Sequence, residues 1–464
     1  MLNPHHSQPE YWQEGALKKE MERVFDVCHG CRRCVNVCPS FNTLFKRIDE
    51  IDDQQTAAAG GKSAAAVLAE ASGEVRGEEE GAQAAKVDFS LAAMRNPVEA
   101  LSDADHRQVV DECYQCKLCF NLCPYHPPHR WALDFPRLMQ RSKAVSVANG
   151  RGAFRDKLFA QVDLVGTFSS WFAPLVNWAN TNKLNRKVLR LLLGIHPDRN
   201  LPKFHFETFK NWWDFRGPKG ARRERVVLFY TCSVNYNDPR TGKAAVQVLE
   251  KNGFEVVCPP QKCCGMPHLD AGDIAAALAA AKKNIGWLLP FVQQGVPIVA
   301  LGPTCSLMLR DEYPALLKTE EARLVAKATS DVSEFLIKLK KEGRLVEDFK
   351  TPAKKIAYQA ACHLKAQNIG LKAKELLSLL PGAQVGVIDR CTAHDGTWSM
   401  KEEYYELSMK YAKKLFEQIE ESRPEAVATD CPLAGIQIEQ GTGLKPVHPV
   451  ELVAKAYGFE TDHA

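Results

Sequence analysis

Beyond residue 225, short apolar runs alternate with longer segments in which apolar residues recur at helical spacing. The runs "RVVLFY", "PIVALG", "KIAYQA" and "EAVATD" have the length and composition of buried strands. The segments "IAAALAAAKKNIGWLL" and "YYELSMKYAKKLFEQI" are predicted to be helices, and in the first of them Ile274, Ala281 and Leu288 share one face. Strands and helices that alternate in this way predict α/β lobes.

The order of strand, helix and strand occurs twice, which indicates an internal repeat. Three cysteines repeat with it: Cys232, Cys263 and Cys305 are separated by 31 and 42 positions, and Cys362, Cys391 and Cys431 by 29 and 40. We therefore predict two duplicated lobes, at about 225–345 and 354–460. Open α/β sheets keep their sites beyond the carboxyl ends of the strands, so the three cysteine loops of each lobe can converge there.

The N-terminal third has a different pattern. The segment "EGALKKEMERVF" predicts a helix directly before the run "VCHGCRRCVNVCPS", and a second run, "CYQCKLCFNLCP", begins 85 positions after the first cysteine. Both runs read C-x2-C-x2-C-x3-C-P. The stretch between them is rich in Ala, Gly and Glu, which predicts a low-complexity insertion at about 52–90.

The two runs predict two [4Fe–4S] clusters, because they have the spacing of bacterial two-cluster ferredoxins. There, three cysteines of one run bind one cluster and the fourth binds the other cluster. The expected ligands are Cys28, Cys31, Cys34 and Cys123 for one cluster, and Cys113, Cys116, Cys119 and Cys38 for the other. The helical flank favours a helical ferredoxin-type domain at about 15–145. Structural zinc sites and disulfides are the alternatives at this point.

Composition changes again in a predicted linker at 146–222. The stretch 150–220 carries twelve Lys and Arg against five Asp and Glu, and half of the eight tryptophans. Phe168, Trp171, Phe172, Leu175 and Trp178 fall on one helical face, with Pro174 starting or kinking the helix. Such a segment lies in a membrane interface, docks a partner protein, or is buried against the next domain.

Length and composition limit the remaining possibilities. A chain of 464 residues predicts roughly two to four domains. Residues 1–25 lack the features of a secretory signal, so we expect a cytoplasmic protein, with contact at the inner face of the membrane as an open alternative. In that compartment thiols are kept reduced, so the sixteen cysteines are expected to bind metals or take part in redox chemistry.

Several classes of site are excluded. No stretch offers the roughly twenty apolar residues that a membrane span needs. No G-x-G-x-x-G motif follows a strand and no P-loop occurs, so any FAD is expected on a partner only. The basic charge is too localised for nucleic-acid binding, which we do not expect.

Several motifs carry a resemblance to a known family. The repeated lobe, with "KCCGMP" at 262–267, resembles the cysteine-rich CCG domain of heterodisulfide reductases and related iron–sulfur oxidoreductases. The order of motifs, including "FAPLVNWAN", "VNYNDPRTGK" and "CSLMLRDEYP", resembles the iron–sulfur subunit of anaerobic glycerol-3-phosphate dehydrogenase. "RCTAHDGTW" and "DCPLAG" resemble a subgroup associated with rubrerythrin, a di-iron peroxide scavenger.

The resemblance implies an α+β multidomain chain: a helical two-[4Fe–4S] ferredoxin-type domain followed by two duplicated α/β CCG lobes. It also implies a flavoprotein dehydrogenase or a rubrerythrin-like protein as partner. The family's CCG pattern is a single cysteine, a CC pair and a final C-x-x-C, which together hold an unusual [4Fe–4S] cluster.

The first lobe departs from this pattern at one position. It has Cys232, Cys263, Cys264 and Cys305, but Met308 replaces the last cysteine. Four thiolates can still hold a cubane cluster or a zinc ion.

The second lobe departs further, since it has only Cys362, Cys391 and Cys431. Thr392 and Ala434 stand where the family pattern has cysteines. Either a fourth donor such as His363 or His394 completes the set, or an iron stays open.

Three functional hypotheses follow. The first, which we favour, is an iron–sulfur electron-transfer subunit of an oxidoreductase, which relays electrons between a flavoprotein dehydrogenase and quinone or an acceptor protein. The second is a self-contained reductase with substrate chemistry at a CCG-lobe cluster. The third is a docking scaffold with zinc-filled lobes. The first makes the chain an oxidoreductase subunit rather than a complete enzyme.

Overall fold

The structure is a computed structural model that describes residues 4–58, 96–217, 224–352 and 354–460. Most of the predicted insertion lies outside these residues. Its first positions, 52–58, continue the helix that begins at Pro39. The predicted domain boundaries stay predictions.

The N-terminal part is helical, as the sequence predicts for a helical ferredoxin type. Its described residues, 4–58 and 96–148, contain no strand, and we call them the ferredoxin-type part. Its helices are α1 (Pro9–Trp12), α2 (Glu14–Cys31), α3 (Pro39–Ala58), α4 (Asp103–Asp111), α5 (Leu118–Leu122) and α6 (Phe135–Ala148). Phe25, Phe41, Leu44 and Leu138 are fully buried at the centre of its core, and the cysteine runs pack against them.

Five helices connect this part to the first sheet. They are α7 (Phe154–Ala160), α8 (Val162–Trp171), α9 (Ala173–Thr181), α10 (Lys183–Leu193) and α11 (Phe209–Arg216). Pro174 lies in the first turn of α9, so it begins a helix rather than kinking one. The predicted stripe is not buried against another domain: Trp171 is 66% exposed and Trp178 is 58% exposed.

The first lobe contains four parallel strands. They are β1 (Glu224–Phe229), β2 (Phe254–Val257), β3 (Ile298–Ala300) and β4 (Thr329–Asp331), in the order β2-β1-β3-β4. Between and beyond them lie α12 (Cys232–Tyr236), α13 (Pro239–Lys251), α14 (Met266–Asp270), α15 (Ile274–Val292), α16 (Pro303–Leu307), a π-helical turn (Met308–Glu312), α17 (Tyr313–Leu317), α18 (Glu320–Ala328) and α19 (Val332–Lys341).

The second lobe repeats the first with one strand fewer. Its strands are β5 (Lys355–Gln359), β6 (Gln384–Ile388) and β7 (Ala426–Thr429), in the parallel order β6-β5-β7. Its helical elements are α20 (Cys362–Ala366), α21 (Lys372–Leu377), a short 3₁₀ turn (Trp398–Met400), α22 (Glu402–Ser422), α23 (Pro432–Thr442) and α24 (Pro449–Ala456). In both lobes the first strand lies between the second and the third, which is the topology expected of a duplication.

The two lobes share one apolar core, in which α13 packs against α24. Glu451 lies inside this interface with 2% of its surface exposed. Its carboxylate accepts hydrogen bonds from the Thr241 hydroxyl at 2.7 Å and the His448 backbone N–H at 3.2 Å. Burial, and then the nearby Asp238 carboxylate, raise the pKa of Glu451 to about 7.

This carboxyl group makes the stability of the lobe interface depend on pH. The folded chain holds a proton on Glu451 between the unfolded pKa near 4.5 and about 7. We therefore expect the free energy of unfolding to fall by about 3 kcal/mol as the pH rises through that window. Glu451→Gln, which imitates the protonated acid, should remove this part of the pH dependence in anaerobic urea unfolding.

The control is Glu421→Gln at an exposed position of α22, which should keep the wild-type pH profile. Equal slopes for Glu451→Gln and the wild type between pH 4.5 and 7 would contradict the assignment.

Candidate functional site

Each cysteine run makes its turn through a residue with left-handed backbone. Arg32, one position after the second cysteine of the first run, has φ 51°, and Lys117, at the matching position of the second run, has φ 60°. In the first run α2 ends at Cys31, and Arg32 caps it. In the second run α5 begins after Lys117. A left-handed residue reverses the chain within one position, so the cysteines on both sides of it face a common point.

The first group of thiols combines both runs. Burial, and then the thiols of Cys34, Cys123 and Cys31, raise the pKa of Cys28. The same neighbours act on one another, and the pKa of Cys34 is raised to about 11. A small cavity is lined by all four side chains. We call this group the first ferredoxin set: Cys28, Cys31, Cys34 and Cys123.

The second group is deeper in the molecule. Its members are all buried, and each lies close enough to the other three for like-charge repulsion to act between their thiolates. The Gln115 side-chain amide donates a hydrogen bond to the Cys113 sulfur at 3.4 Å. We call this group the second ferredoxin set: Cys38, Cys113, Cys116 and Cys119. The structure thus brings together the two crosswise groups that the sequence predicts, and their ligation of clusters stays a prediction.

The first lobe gathers its cysteines at the carboxyl end of its sheet. Cys232 follows β1, the CC pair lies in the loop after β2, and Cys305 lies in α16 after β3. Their sulfurs contact one another in the order Cys232, Cys263, Cys264 and Cys305, and we call them the first-lobe set. Gly265, with φ 94°, allows the turn that directs both cysteines of the pair inward. Met308 is fully buried in the neighbouring apolar core.

An acidic side chain from outside the lobe holds the loop of the CC pair. The Asp163 carboxylate on α8 accepts a hydrogen bond from the Cys263 backbone N–H at 3.0 Å. A Cβ on Gly166 would lie 2.4 Å from the Tyr236 ring, so α8 approaches α12 as closely as glycine permits. The linker helix and the first-lobe set are therefore one packed unit.

The second lobe places its cysteines at the equivalent strand ends. Cys362, Cys391 and Cys431, the second-lobe set, follow β5, β6 and β7. The Cys391 sulfur lies 3.2 Å from the Ala393 backbone nitrogen and 3.3 Å from the Tyr114 hydroxyl of the ferredoxin-type part.

Of the two histidines proposed as a fourth donor in this lobe, His363 has both ring nitrogens in hydrogen bonds. The buried Nε2 of His394 has no hydrogen-bond partner among the described residues, so a donor role for His394 stays a prediction. Burial lowers the pKa of His363 to about 4 and that of His394 to about 3, so both rings are neutral. His363 Nε2 donates to the Gln115 carbonyl at 3.0 Å, and its Nδ1 accepts from the Thr304 hydroxyl at 2.9 Å. His394 Nδ1 accepts from the Gly396 N–H at 3.1 Å, which leaves its proton on Nε2.

Each of the four cysteine sets has a thiol close to a thiol of the next set. The first and second ferredoxin sets are neighbours through Cys34 and Cys119. The second ferredoxin set and the second-lobe set are neighbours through Cys116, which lies near Cys391 and Cys362. The two lobes are neighbours through Cys305 and Cys431.

Buried polar contacts fix the second run against the first lobe. The Lys117 ammonium lies 2.6 Å from the Glu312 carboxylate, and both are almost fully buried. Burial alone would raise the pKa of Glu312, but Lys117 and Arg137 lower it to about 2. Sequence analysis did not identify Glu312, Asp163 and Tyr114. Their only signal in the sequence is a charged or hydroxyl side chain inside or beside a motif, and such side chains are too common to single out a functional residue.

Each ferredoxin set is a group of four neighbouring thiols, which is the composition that a cubane [4Fe–4S] cluster requires.

Comparison with protein families agrees with both parts of the fold. Residues 20–124 match the 4Fe-4S dicluster domain, and residues 226–310 and 356–439 each match the cysteine-rich (CCG) domain. The two matches to one domain confirm the internal repeat, and the dicluster match confirms iron–sulfur clusters as cofactors.

Three relatives illustrate the kinship. The iron–sulfur subunit of anaerobic glycerol-3-phosphate dehydrogenase of Escherichia coli (strain K12) is 34% identical over 326 residues, which cover 69% of this chain and 81% of the relative. The probable glycolate oxidase iron-sulfur subunit of Bacillus subtilis (strain 168) is 25% identical, with coverages of 77% and 85%. One subunit of the fumarate reductase (CoM/CoB) of Methanothermobacter marburgensis is 28% identical over 50% of this chain and 46% of its own length.

The resemblance predicted from the motifs is therefore confirmed. The chain belongs to the family of CCG-domain iron–sulfur subunits of oxidoreductases that includes the iron–sulfur subunit of anaerobic glycerol-3-phosphate dehydrogenase.

Proposed function

We propose that this chain relays electrons between a flavoprotein dehydrogenase and a lipid-soluble quinone. The observation that carries the proposal is the unbroken sequence of four neighbouring thiol groups, from the first ferredoxin set to the first-lobe set. Iron–sulfur clusters take up and release single electrons. A rubrerythrin-like acceptor, FAD on the partner and a cytoplasmic location stay predictions.

The ligands in this proposal are the two ferredoxin sets, the first-lobe set and, with one position open to a non-protein ligand, the second-lobe set. Burial raises the pKa of the Cys28, Cys38 and Cys362 thiols and so favours their neutral form in the absence of metal. Iron compensates the charge of deprotonated thiolates, so groups of thiols with strongly raised pKa values fit sites that are completed by a metal centre.

The end at which the dehydrogenase docks is the first ferredoxin set. Cys28, Cys31 and Cys34 are half-buried, whereas the second ferredoxin set is buried throughout. Arg32 and Arg33 beside them are exposed. Electron exchange with a partner requires a short distance to the surface, and this group has it.

The opposite end lies beneath an apolar surface. Helices α8, α9 and α10, with Phe172 between the first two, expose large apolar side chains: Leu164, Phe168, Trp171, Phe172, Leu175, Trp178, Leu184, Leu191 and Leu192. In α10 the usual arrangement is inverted, because Leu191 is 85% exposed while Arg186 is buried. The Arg186 guanidinium donates hydrogen bonds to the backbone carbonyls of residues 196, 197 and 199. A contiguous surface of exposed leucine and aromatic side chains is typical of a site that contacts a membrane or another protein.

The cover that we propose is an anionic lipid surface. Of the basic residues in 150–220, Arg186 and Arg199 are buried, and several arginines pair with acidic residues outside the stretch. In contrast, Lys183 and Lys187 on α10 are exposed beside the outward-facing leucines. Basic residues beside exposed Trp, Phe and Leu suit the interface of a bilayer that contains anionic lipids. None of the helices in the described part of the chain is long and apolar enough to cross a membrane. Contact in this proposal is therefore peripheral, with α8 joining it to the first-lobe set through Asp163.

The crosswise assignment of ligands predicts which variants lose the same signal. Cys38→Ser and Cys116→Ser should abolish one signal in EPR spectra of the reduced protein, and Cys34→Ser and Cys123→Ser the other. If each run held its own cluster, Cys38→Ser would instead share its loss with Cys34→Ser. Cys258→Ser is the matched control, because Cys258 packs against the shared core of the lobes.

The proposed direction of the relay predicts a selective defect in the first lobe. In Cys305→Ser, dithionite-reduced methyl viologen should still reduce both ferredoxin-type signals. Chain-dependent reduction of the quinone analogue menadione should fall about tenfold or more, since each step of the relay is needed. Full menadione reduction by Cys305→Ser, with Cys258→Ser as control, would exclude the first lobe as the exit. If Cys305→Ser contained less zinc than the wild type but the same amount of iron, that result would favour the scaffold hypothesis.

The membrane proposal predicts binding to vesicles of phosphatidylglycerol and phosphatidylcholine. Trp171→Ala/Trp178→Ala should weaken binding by about tenfold or more, because two aromatic anchors are lost. Binding should also weaken as salt is raised. Leu371→Ala, at an exposed position of the second lobe, is the control. Equal binding by the double variant and the wild type would contradict the proposal and leave a protein partner as the cover.

A further inference from the structure

One side chain of the ferredoxin-type part reaches a sulfur of the second lobe. Tyr114 lies between Cys113 and Cys116 in sequence and is 5% exposed. Its hydroxyl oxygen lies 3.3 Å from the Cys391 sulfur and 3.5 Å from the backbone carbonyl of Val37, the residue before Cys38. A single hydroxyl therefore stands between the second ferredoxin set and the second-lobe set.

The Cys391 sulfur has a second hydrogen-bond donor. The Ala393 backbone N–H donates to it at 3.2 Å. Ala393 holds this position with φ 50°, a left-handed conformation that is unfavourable for alanine. Such a local cost is maintained where the surrounding structure requires the conformation, and here its effect is to direct an amide at a sulfur.

The state of Cys391 decides whether the sulfur or the Tyr114 hydroxyl is the donor in their contact. A sulfur that binds a metal centre has no proton and acts only as an acceptor. At neutral pH the tyrosine hydroxyl carries a proton that it can donate. With Cys391 as a ligand, the contact is therefore an O–H···S hydrogen bond from Tyr114.

Ring packing holds the hydroxyl in this position. The Tyr114 ring lies 5.1 Å, centroid to centroid, from the buried Trp398 ring, which in turn stacks on Tyr404 at 4.9 Å. Trp398 is 3% exposed. The orientation of Tyr114 is thus fixed by side chains of the second lobe.

We propose that the Tyr114 hydroxyl sets the redox potential of the second-lobe set. This inference rests on the proposed electron relay. Hydrogen bonds to ligand sulfurs withdraw negative charge and stabilise the reduced form of an iron–sulfur centre, which raises its potential. Because the donor belongs to the ferredoxin-type part, the second lobe acquires its working potential only when it is packed against that part. Tyr114 acts through Cys391 and is a positioning residue.

The test is an EPR-monitored redox titration of the full chain. Cys391→Ser first identifies the signal of the second-lobe set as the one that it abolishes. Tyr114→Phe keeps the ring and removes only the hydroxyl, and it should shift the midpoint potential of that signal to a lower value. Both ferredoxin-type signals should remain in the spectrum of Tyr114→Phe. The iron content and the thermal unfolding temperature of this variant should match those of the wild type.

Tyr404→Phe is the matched control. Its ring also packs on Trp398, but the charged groups that act on its hydroxyl are Asp111, Glu403, Glu112 and Arg155 rather than cysteines. It should leave all potentials unchanged. Equal potentials for Tyr114→Phe and Tyr404→Phe would overturn the inference, and so would retention of every signal in Cys391→Ser.

These failures differ from a failure of the relay itself. If Cys391→Ser keeps every signal but the chain still passes electrons from reduced methyl viologen to menadione, the relay stands and the role of Tyr114 falls. If the wild-type chain shows no redox-active signals at all, the proposed function falls with it.

Discussion

The position of the second cysteine run between the first run and both lobes determines how close the four thiol groups come to one another. That position depends on the buried pair of Lys117 and Glu312, 2.6 Å apart, one from the run and one from the first lobe. On the other side, His363 donates to the Gln115 carbonyl and the Asn121 amide donates to the Lys365 carbonyl at 2.9 Å. Removing one partner of a buried ion pair leaves an uncompensated charge, at a cost of about 3–5 kcal/mol. These contacts therefore restrain the second run against both lobes.

The crosswise grouping makes the two runs one folding unit, although they lie far apart in sequence. Each set takes three thiols from one run and one from the other, so neither can be completed by a single loop. The Ser40 hydroxyl, two positions after Cys38, donates to the Val109 carbonyl at 2.7 Å and joins the segments directly. Buried thiols that repel one another once deprotonated add a further requirement, because only a bound metal centre offsets their charge. In the proposed ligand assignment, folding of this part and cofactor binding are coupled.

The lobes keep the family's cysteine site, but with fewer cysteines than the family pattern has. Met308 and Ala434, which stand in place of cysteines, have exposures of 0% and 2% and fill apolar positions. The remaining sulfurs still meet at the carboxyl ends of the strands. The second-lobe set, with three cysteines, lies between the second ferredoxin set and the first-lobe set. A site with only three cysteines thus occupies a middle position, and its Cys391 sulfur lies within hydrogen-bond distance of the Tyr114 hydroxyl and the Ala393 backbone N–H.

The sequence by itself determined the elements and the ligand types. The C-x2-C-x2-C-x3-C-P runs specify three thiols of each group, because the spacing of the cysteines and a left-handed turn are local properties of the chain. The fourth thiol was predicted from the pairing that is typical of two-cluster ferredoxins. The strand and helix periods likewise specify two α/β lobes, since burial of one face follows directly from the pattern.

Only the tertiary structure decided what depends on long-range packing. The apolar stripe of residues 168–178 has the same period whether it is buried or exposed, and only the neighbours that pack against α8 and α9 decide between them. His363 and His394 stand beside cysteines in the sequence, but their ring nitrogens are directed by Thr304, Gln115 and Gly396. The order of the four thiol groups and the contact of Tyr114 with Cys391, 277 positions apart, depend on how the domains pack. No local pattern records that packing, because the interactions that produce it join residues hundreds of positions apart.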